Sequence, residues 1–279
     1  MTDPTEIKVQ HDGGLFPNRF SLARLAYRRR DVEMSEAAHA LEHLERSLSE
    51  RETRGQYLAD AVLGATDGII TTFAVVAGAA GAFLSAGIVL IMGLANLLAD
   101  GFSMAVSNYL GARSQQDAWT EERQREIWEV KHLPEAEREE IRRIYRRKGF
   151  EGEILERIVA TLTADERRWV NEMMREELGI HEEGITPFTS GLVTFAAFAA
   201  AGFLPLLSYV LALLGVSFPA DQFTLSLGIT MAALFSVGAA RSLVTRRPWW
   251  RGGFEILAVG GLAAACAYVV GYLLRGLLE

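Results

Sequence analysis

Apolar and polar positions fall into long blocks along this chain. Residues 1–60 are polar and charged. Residues 61–112 hold only two charged groups, Asp67 and Asp100, and Gly68 to Ala99 holds none. Residues 113–183 are dense in charge, with 14 Lys/Arg against 19 Asp/Glu, a local net of −5. Residues 184–220 are free of charge again, and mostly apolar sequence runs from there to the C-terminus. A bilayer core takes about 20 apolar residues per helix. On that measure the pattern predicts five spans, over 61–83, 88–112, 188–213, 222–240 and 256–274. Only "FLSAG" separates the first two. Pro205 predicts a kink inside the third.

The charged block carries helix signals of its own. The second span runs on past Arg113 into "SQQDAWTEERQREIWEVKHL". Pro134 opens a helix over about 135–148, and Gly149 stops it. A third covers about 151–161. "TADE" at 163–166 has the spacing of a capping box and opens a fourth, to about Leu178, with Gly179 as its stop. The predicted fold class is therefore an all-α membrane protein, with five transmembrane helices and a helical insert between the second and third. Its divisions are a tail over 1–55, spans over 56–112, the insert over 113–183 and three spans over 184–279.

Charge in the loops sets direction. "RRR" at 28–30 precedes the first span, and "RSLVTRRPWWRGG" at 241–253 joins the fourth to the fifth. The turns after the first and third spans contain no Lys or Arg. Positive residues favour the cytoplasmic side. The N-terminus, the insert and the 241–253 loop are expected there, with the C-terminus outside, in a bacterial inner membrane. Trp249 and Trp250 are expected at the cytoplasmic interface. The piece "FPNRFSLARLAYRRR" mixes aromatics with five arginines and suits an anionic membrane surface or a solvated tail. Residues 34–52 read as an acidic helix carrying His39 and His43 at i, i+4.

Whole-chain totals conceal this division. Half the residues are apolar and the net charge is −7, while a mean hydropathy of +0.14 averages membrane and water-soluble parts. The single cysteine, Cys266, excludes a disulfide framework within the chain. No nucleophile–base pair and no nucleotide-binding Gly loop appears, so an enzyme is not expected, nor is a nucleic-acid partner or a prosthetic group.

The polar residues inside the spans carry the candidate chemistry. A carboxylate at the bilayer centre costs about 2.5–3.5 kcal/mol on insertion scales, which makes Asp67 a functional candidate. Thr71 and Thr72 put hydroxyls beside it. In the second span Asn96, Asp100, Met104 and Asn108 recur every four residues. Each step of four advances about 400°, so they form a drifting stripe on one face. A thioether among carboxylates suits a softer first-row ion such as Fe2+ better than Mg2+ or Ca2+. Met104 alone is more often a packing residue than a ligand, and Asp100 can be a helix-packing hydrogen bonder. Gly64 and Gly68 make a GxxxG, a pattern associated with dimer faces. In the insert, Glu126 and Glu129 share a helix face, as do Glu137 and Glu140 on the next helix. Met173, Met174 and Glu177 follow at helical spacing. Carboxylates converging from several helices are how bundle metal sites are built. A solvated bundle laced with salt bridges would have the same composition.

The stretches "DGIITTFAVVAGAAGA", "ANLLADGFSMAVSNYLGARSQQD" and "WVNEMMREELGI", in that order, resemble the vacuolar iron transporter family, which includes the yeast vacuolar iron importer and plant nodulin-like members. The resemblance covers about residues 55–279. It implies a homodimer with five spans per chain. It implies export of Fe2+, and of Mn2+ or other divalent ions such as Co2+ and Zn2+, out of the cytoplasm in exchange for protons. It places a transmembrane site at Asp67 and Met104 near the dimer axis. Glu126, Glu129, Glu137, Glu140, Met173, Met174 and Glu177 would be the ligands of a metal-collecting insert. Three positions depart from the family pattern. Asn108 and Gln56 stand where some members carry acids, and Asp100 replaces a small residue. The rival reading is a membrane-anchored metal buffer or sensor, for which carboxylates within the bilayer would have no use.

Overall fold

The computed structural model describes residues 29, 30 and 32, then 44–180, 184, 186–216, 218–245 and 248–278, with backbone alone for 44–54, 243–245, 277 and 278. His39, His43 and nearly all of the arginine-rich N-terminal piece lie outside the described residues. The chain divides into Met1–Gly55 and Gln56–Glu279, and the second unit is the subject below. Among the described residues every regular element is a helix: α1 (Leu44–Gly81), α2 (Ala86–His132), α3 (Pro134–Arg147), α4 (Gly152–Leu162), α5 (Glu166–Glu176), α6 (Pro187–Gly202), a 3-10 turn (Leu204–Leu206), α7 (Leu207–Leu213), α8 (Gln222–Thr245) and α9 (Trp249–Leu278). Five stretches are long and apolar enough to cross a membrane: Gly55–Gly81, Ala86–His132, Pro187–Leu213, Gln222–Ser242 and Trp249–Gly276.

The predicted spans thus appear with shifted ends. The fifth starts at Trp249, seven residues before its predicted start. Pro248 opens it, accepting from the Arg251 N–H at 2.9 Å, so Trp249 and Trp250 stand in its first turn. Pro205 does more than kink the third span. It has no N–H to give a helix, so α6 ends at Gly202 and the chain resumes as α7 after a 3-10 turn. The disturbed backbone is bonded elsewhere, since Ser226 Oγ donates to the Pro205 carbonyl at 2.6 Å and Ser208 Oγ to that of Gln222 at 2.9 Å.

The turn between α1 and α2 places Phe83 at a φ of +58°, the left-handed residue that commonly closes a helix. The Arg275 guanidinium lies 4.3 Å from the Phe83 ring centroid. The end of α9 therefore reaches the α1–α2 turn, on the side of the bundle opposite the insert.

α2 is 47 residues long, about 70 Å at 1.5 Å per residue, more than twice a hydrocarbon core of about 30 Å. Its second half therefore leaves the apolar bundle and becomes the first helix of the insert. There α3, α4 and α5 pack on it around Val130, Ile141, Leu155, Val159, Trp169 and Val170. Gly149 and Gly179 take φ of +93° and +66° at the turns the sequence marked. The capping box is a correction. Thr163 is not the N-cap; Asp165 is, accepting the Arg168 N–H at 2.8 Å. An aspartate two residues closer to the apolar run caps as well as a threonine.

The Gly64–Gly68 pair finds its partner within the chain. A Cβ on Gly64 would strike the Thr194 carbonyl, and one on Gly68 the Phe198 carbonyl, both on α6. The small residues let α1 and α6 touch backbone to backbone, the use small residues commonly have in membranes. Replacing Gly68 by Leu should cost about 1–3 kcal/mol by overpacking, read as a fall of several degrees in the melting temperature in detergent. Gly87→Ala, with open space around it, should leave that temperature unchanged.

Candidate functional site

Two polar clusters stand out, one between the apolar helices and one in the insert. In the first, α1 supplies Asp67 and Thr71, and α2 supplies Asn96, Asp100, Met104 and Asn108. All six are half-buried. Asp100 lies close enough to Asp67 for the two charges to repel. On the same two helices Thr66 Oγ1, Thr71 Oγ1, Thr72 Oγ1 and Asn96 Nδ2 are buried with no hydrogen-bond partner. Buried polar atoms are nearly always paired, and a helical threonine ordinarily bonds back to the carbonyl four residues earlier. Thr194 does so, to Ser190 O at 3.0 Å. Thr66 was not picked out by sequence spacing, because a hydroxyl in a helix gives no signal until its missing partner is seen.

Asn108, at the end of the stripe, is turned to a different use. Its amide donates to Ser190 Oγ at 3.0 Å and Thr194 Oγ1 at 2.6 Å, both on α6. Ser190 Oγ in turn donates to Asp60 Oδ2 at 2.5 Å. Asp60 is 5% exposed, the most deeply buried aspartate among the described residues. Sequence reading passed over it because it stands one residue outside the apolar run, in "QYLAD", with its partner Ser190 130 residues away.

The insert gathers carboxylates from three helices. Glu126 and Glu129 come from α2, Glu137 and Glu140 from α3, and Glu177 caps the end of α5. Glu126 is 1% exposed and Glu137 5%. Both Glu126 oxygens and Glu137 Oε2 lack a hydrogen bond. Arg125 Nη2 lies 3.1 Å from Glu126 Oε1 without hydrogen-bond alignment, while the same guanidinium binds Glu122 at 2.8 Å and Glu129 at 3.0 Å. Burial first, then the Glu177 and Glu137 carboxylates, pushes Glu126 up to about 7. Burial, then Glu140, Glu129 and Glu177, pushes Glu137 up to about 7. Glu177 is also raised, by partial burial of its carboxyl group and then by the charges of Glu140 and Glu129. The five predicted carboxylates therefore form one interacting set. Met173 and Met174 are buried in the adjoining apolar cluster. Among the described residues no three of these acids converge as a ready coordination sphere, as expected of like charges held in low dielectric.

A sequence model described as the VIT family matches residues 58–272. The chain is 37% identical over 265 residues to a protein named vacuolar iron transporter from Toxoplasma gondii, covering 91% of this chain and 87% of that protein. It is 32% identical to one of the same name from Plasmodium berghei, over 91% and 95% of the two chains. To vacuolar iron transporter 1 of Arabidopsis thaliana it is 34% identical, over 77% and 85%.

The raised carboxyls fix a sign for pH dependence. A group whose pKa is higher folded than unfolded adds stability below its ordinary value, here 4.5, and that contribution is lost as pH climbs through the folded value near 7. Metal-free protein in detergent should therefore melt at progressively lower temperature from pH 5.5 to pH 8. Glu126→Gln should flatten that slope and raise the melting temperature at pH 8. A slope of the opposite sign would refute the electrostatic reading of the insert.

Proposed function

The chain belongs to the VIT family, an integral multi-pass membrane protein for metal-ion transport, and from that premise we propose that it carries Fe2+, and secondarily Mn2+, out of the cytoplasm in exchange for protons. The observation that carries the reading is the Asp67–Asp100 pair within the apolar helices, which also hold unpartnered buried polar atoms on α1 and α2. Two carboxylates that repel one another inside a bilayer gain from either a proton or a divalent cation between them. A site that accepts either one couples their flows by competition. Asp67 and Met104 are the principal ligands. Asp100, Thr71, Asn96 and the carbonyl oxygen of Asn108 line the way, and the thioether biases the site away from hard Mg2+.

Burial supports a homodimer. Asp67 and Asp100 are only half-covered by their own chain, and a carboxylate facing lipid is too costly to leave there. A second copy of the chain against this face supplies the cover and puts the path between protomers. The positive residues near α1 and between α8 and α9 favour a cytoplasmic insert. The C-terminus then lies on the far side, whether of a vacuole, as in the relatives' names, or of a bacterial inner membrane.

The insert collects the ion. Glu126, Glu129, Glu137, Glu140 and Glu177 form a field of acids whose repulsion a divalent cation relieves, with Met173 and Met174 as soft ligands on the apolar side. Arg125 is the cation that neutralises part of this set now, so a metal must displace it. Arg125→Ala should tighten divalent-metal binding by on the order of fivefold, about 1 kcal/mol, in titration calorimetry.

The transport reading is tested by separating binding from flux. Asp67→Ala should cut Fe2+ uptake into liposomes with an acidic interior by tenfold or more, while the detergent-solubilised protein keeps metal binding at the insert. Uptake equal to wild type would overturn the path. Wild-type protein that binds Fe2+ but moves none would favour a membrane-anchored buffer.

A further inference from the structure

The path reading leaves Asp60 without a task. Its carboxylate is the end of a chain of donors that crosses three helices. Asn108 on α2 has two amide protons, and they go to Ser190 Oγ and Thr194 Oγ1 on α6. The Thr194 hydroxyl spends its proton on the Ser190 carbonyl. The Ser190 hydroxyl spends its own on Asp60 Oδ2 of α1. Each hydroxyl has one proton to give, so the order of donors is fixed and needs an acceptor at position 60. Ser190 is 1% exposed and Thr194 is fully buried. Its Asp60, Ser190 and Thr194 members are sealed inside one chain, whereas Asn108 and Asp67 are half-open.

Its placement ties it to the ion path. Asp60 is seven residues from Asp67, two turns along the same face of α1. Asn108 is four residues from Met104, one turn along α2. The network therefore joins the two helices that carry the principal ligands and fastens both to α6. The backbones around it have no slack. Gly64 lies against the Thr194 carbonyl, and Gly191 of α6 against the Ala105 carbonyl of α2. With spans in such contact, hydrogen bonds rather than packing volume are left to set how α1 and α2 register on α6.

We propose that the buried Asp60–Ser190–Asn108–Thr194 network is a positioning clamp that holds α1 and α2 so that Asp67 and Met104 address the same ion. Asp60 is a positioning residue: it acts as an acceptor for Ser190 and does not touch the cargo. The proposal rests on the path reading given above.

The experiment is a set of variants measured in Fe2+ uptake and in thermal melting: Asp60→Asn, Asp60→Ala, Ser190→Ala, the Asp60→Ala/Ser190→Ala double variant, and Asp67→Ala. Asparagine at 60 keeps a carbonyl oxygen for the Ser190 proton and removes only the charge. The clamp predicts that Asp60→Ala and Ser190→Ala each raise the Fe2+ KM fivefold or more. It predicts that Asp60→Asn stays within twofold of wild type, and that the double variant is no worse than the poorer single one, in KM and in melting temperature alike. Asp60→Asn as impaired as Asp60→Ala would overturn it in favour of a charged proton or ion station. Single effects that simply add, or Asp60→Ala behaving as wild type, would also overturn it. Asp67→Ala separates the two readings. If it transports normally, the path reading fails, while the coupling of positions 60 and 190 remains readable in the melting temperatures.

Discussion

A carboxylate in hydrocarbon is unfavourable unless something shares its charge, and the arrangement of α1 and α2 follows from three aspartates they hold. Asp60 is met by a hydroxyl and sealed between α1 and α6. Asp67 and Asp100 are met by each other, which raises the cost, and are left half-open. The first arrangement is closed by a hydrogen bond from Ser190. The second is deficient in positive charge, and that deficiency is the reason to assign it to ions in transit. The same logic recurs in the insert, where Glu126 and Glu137 are buried beside three more acids and one guanidinium relieves only part of their repulsion.

α2 links the two regions mechanically. One unbroken helix carries Asp100 and Met104 at bilayer depth and Glu126 and Glu129 beyond it. A shift of the helix at one end is transmitted to the other, because no flexible joint lies between. The Arg125 side chain, bridging Glu122, Glu126 and Glu129, also stiffens the outer part of that helix. The placing of Glu126 and Glu129 in the insert and the position of Met104 are properties of the same rod.

Much of this could be read from sequence, and the failures have physical causes. The spans were legible because hydrocarbon imposes a length on any apolar helix. The insert's helices were legible because Pro134, Gly149 and Gly179 act on the backbone locally. The acidic set was visible as helical spacing, although spacing alone did not distinguish it from a solvated charged bundle until burial of Glu126 and Glu137 was known. What escaped was set by tertiary neighbours. Gly64 and Gly68 suggested a face for a second chain, but their partner is α6. Thr163 and Asp165 were both competent caps, and packing of Trp169 and Val170 into the insert chose the later start. Asp60 gave no local signal because its hydrogen bonds come from residues far along the chain. The α9 start was placed late because Glu255 and Arg251 interrupt the apolar run, whereas Pro248 opens the helix regardless of their charge.

The central claim is that one intramembrane carboxylate site takes either a proton or a divalent cation. It is tested most directly by recording interior pH and Fe2+ uptake together in liposomes that hold no initial pH gradient. Exchange at a shared site predicts that inward Fe2+ movement alkalinises the interior, and that both signals vanish together in Asp67→Ala. Fe2+ entering with no change in interior pH would contradict it.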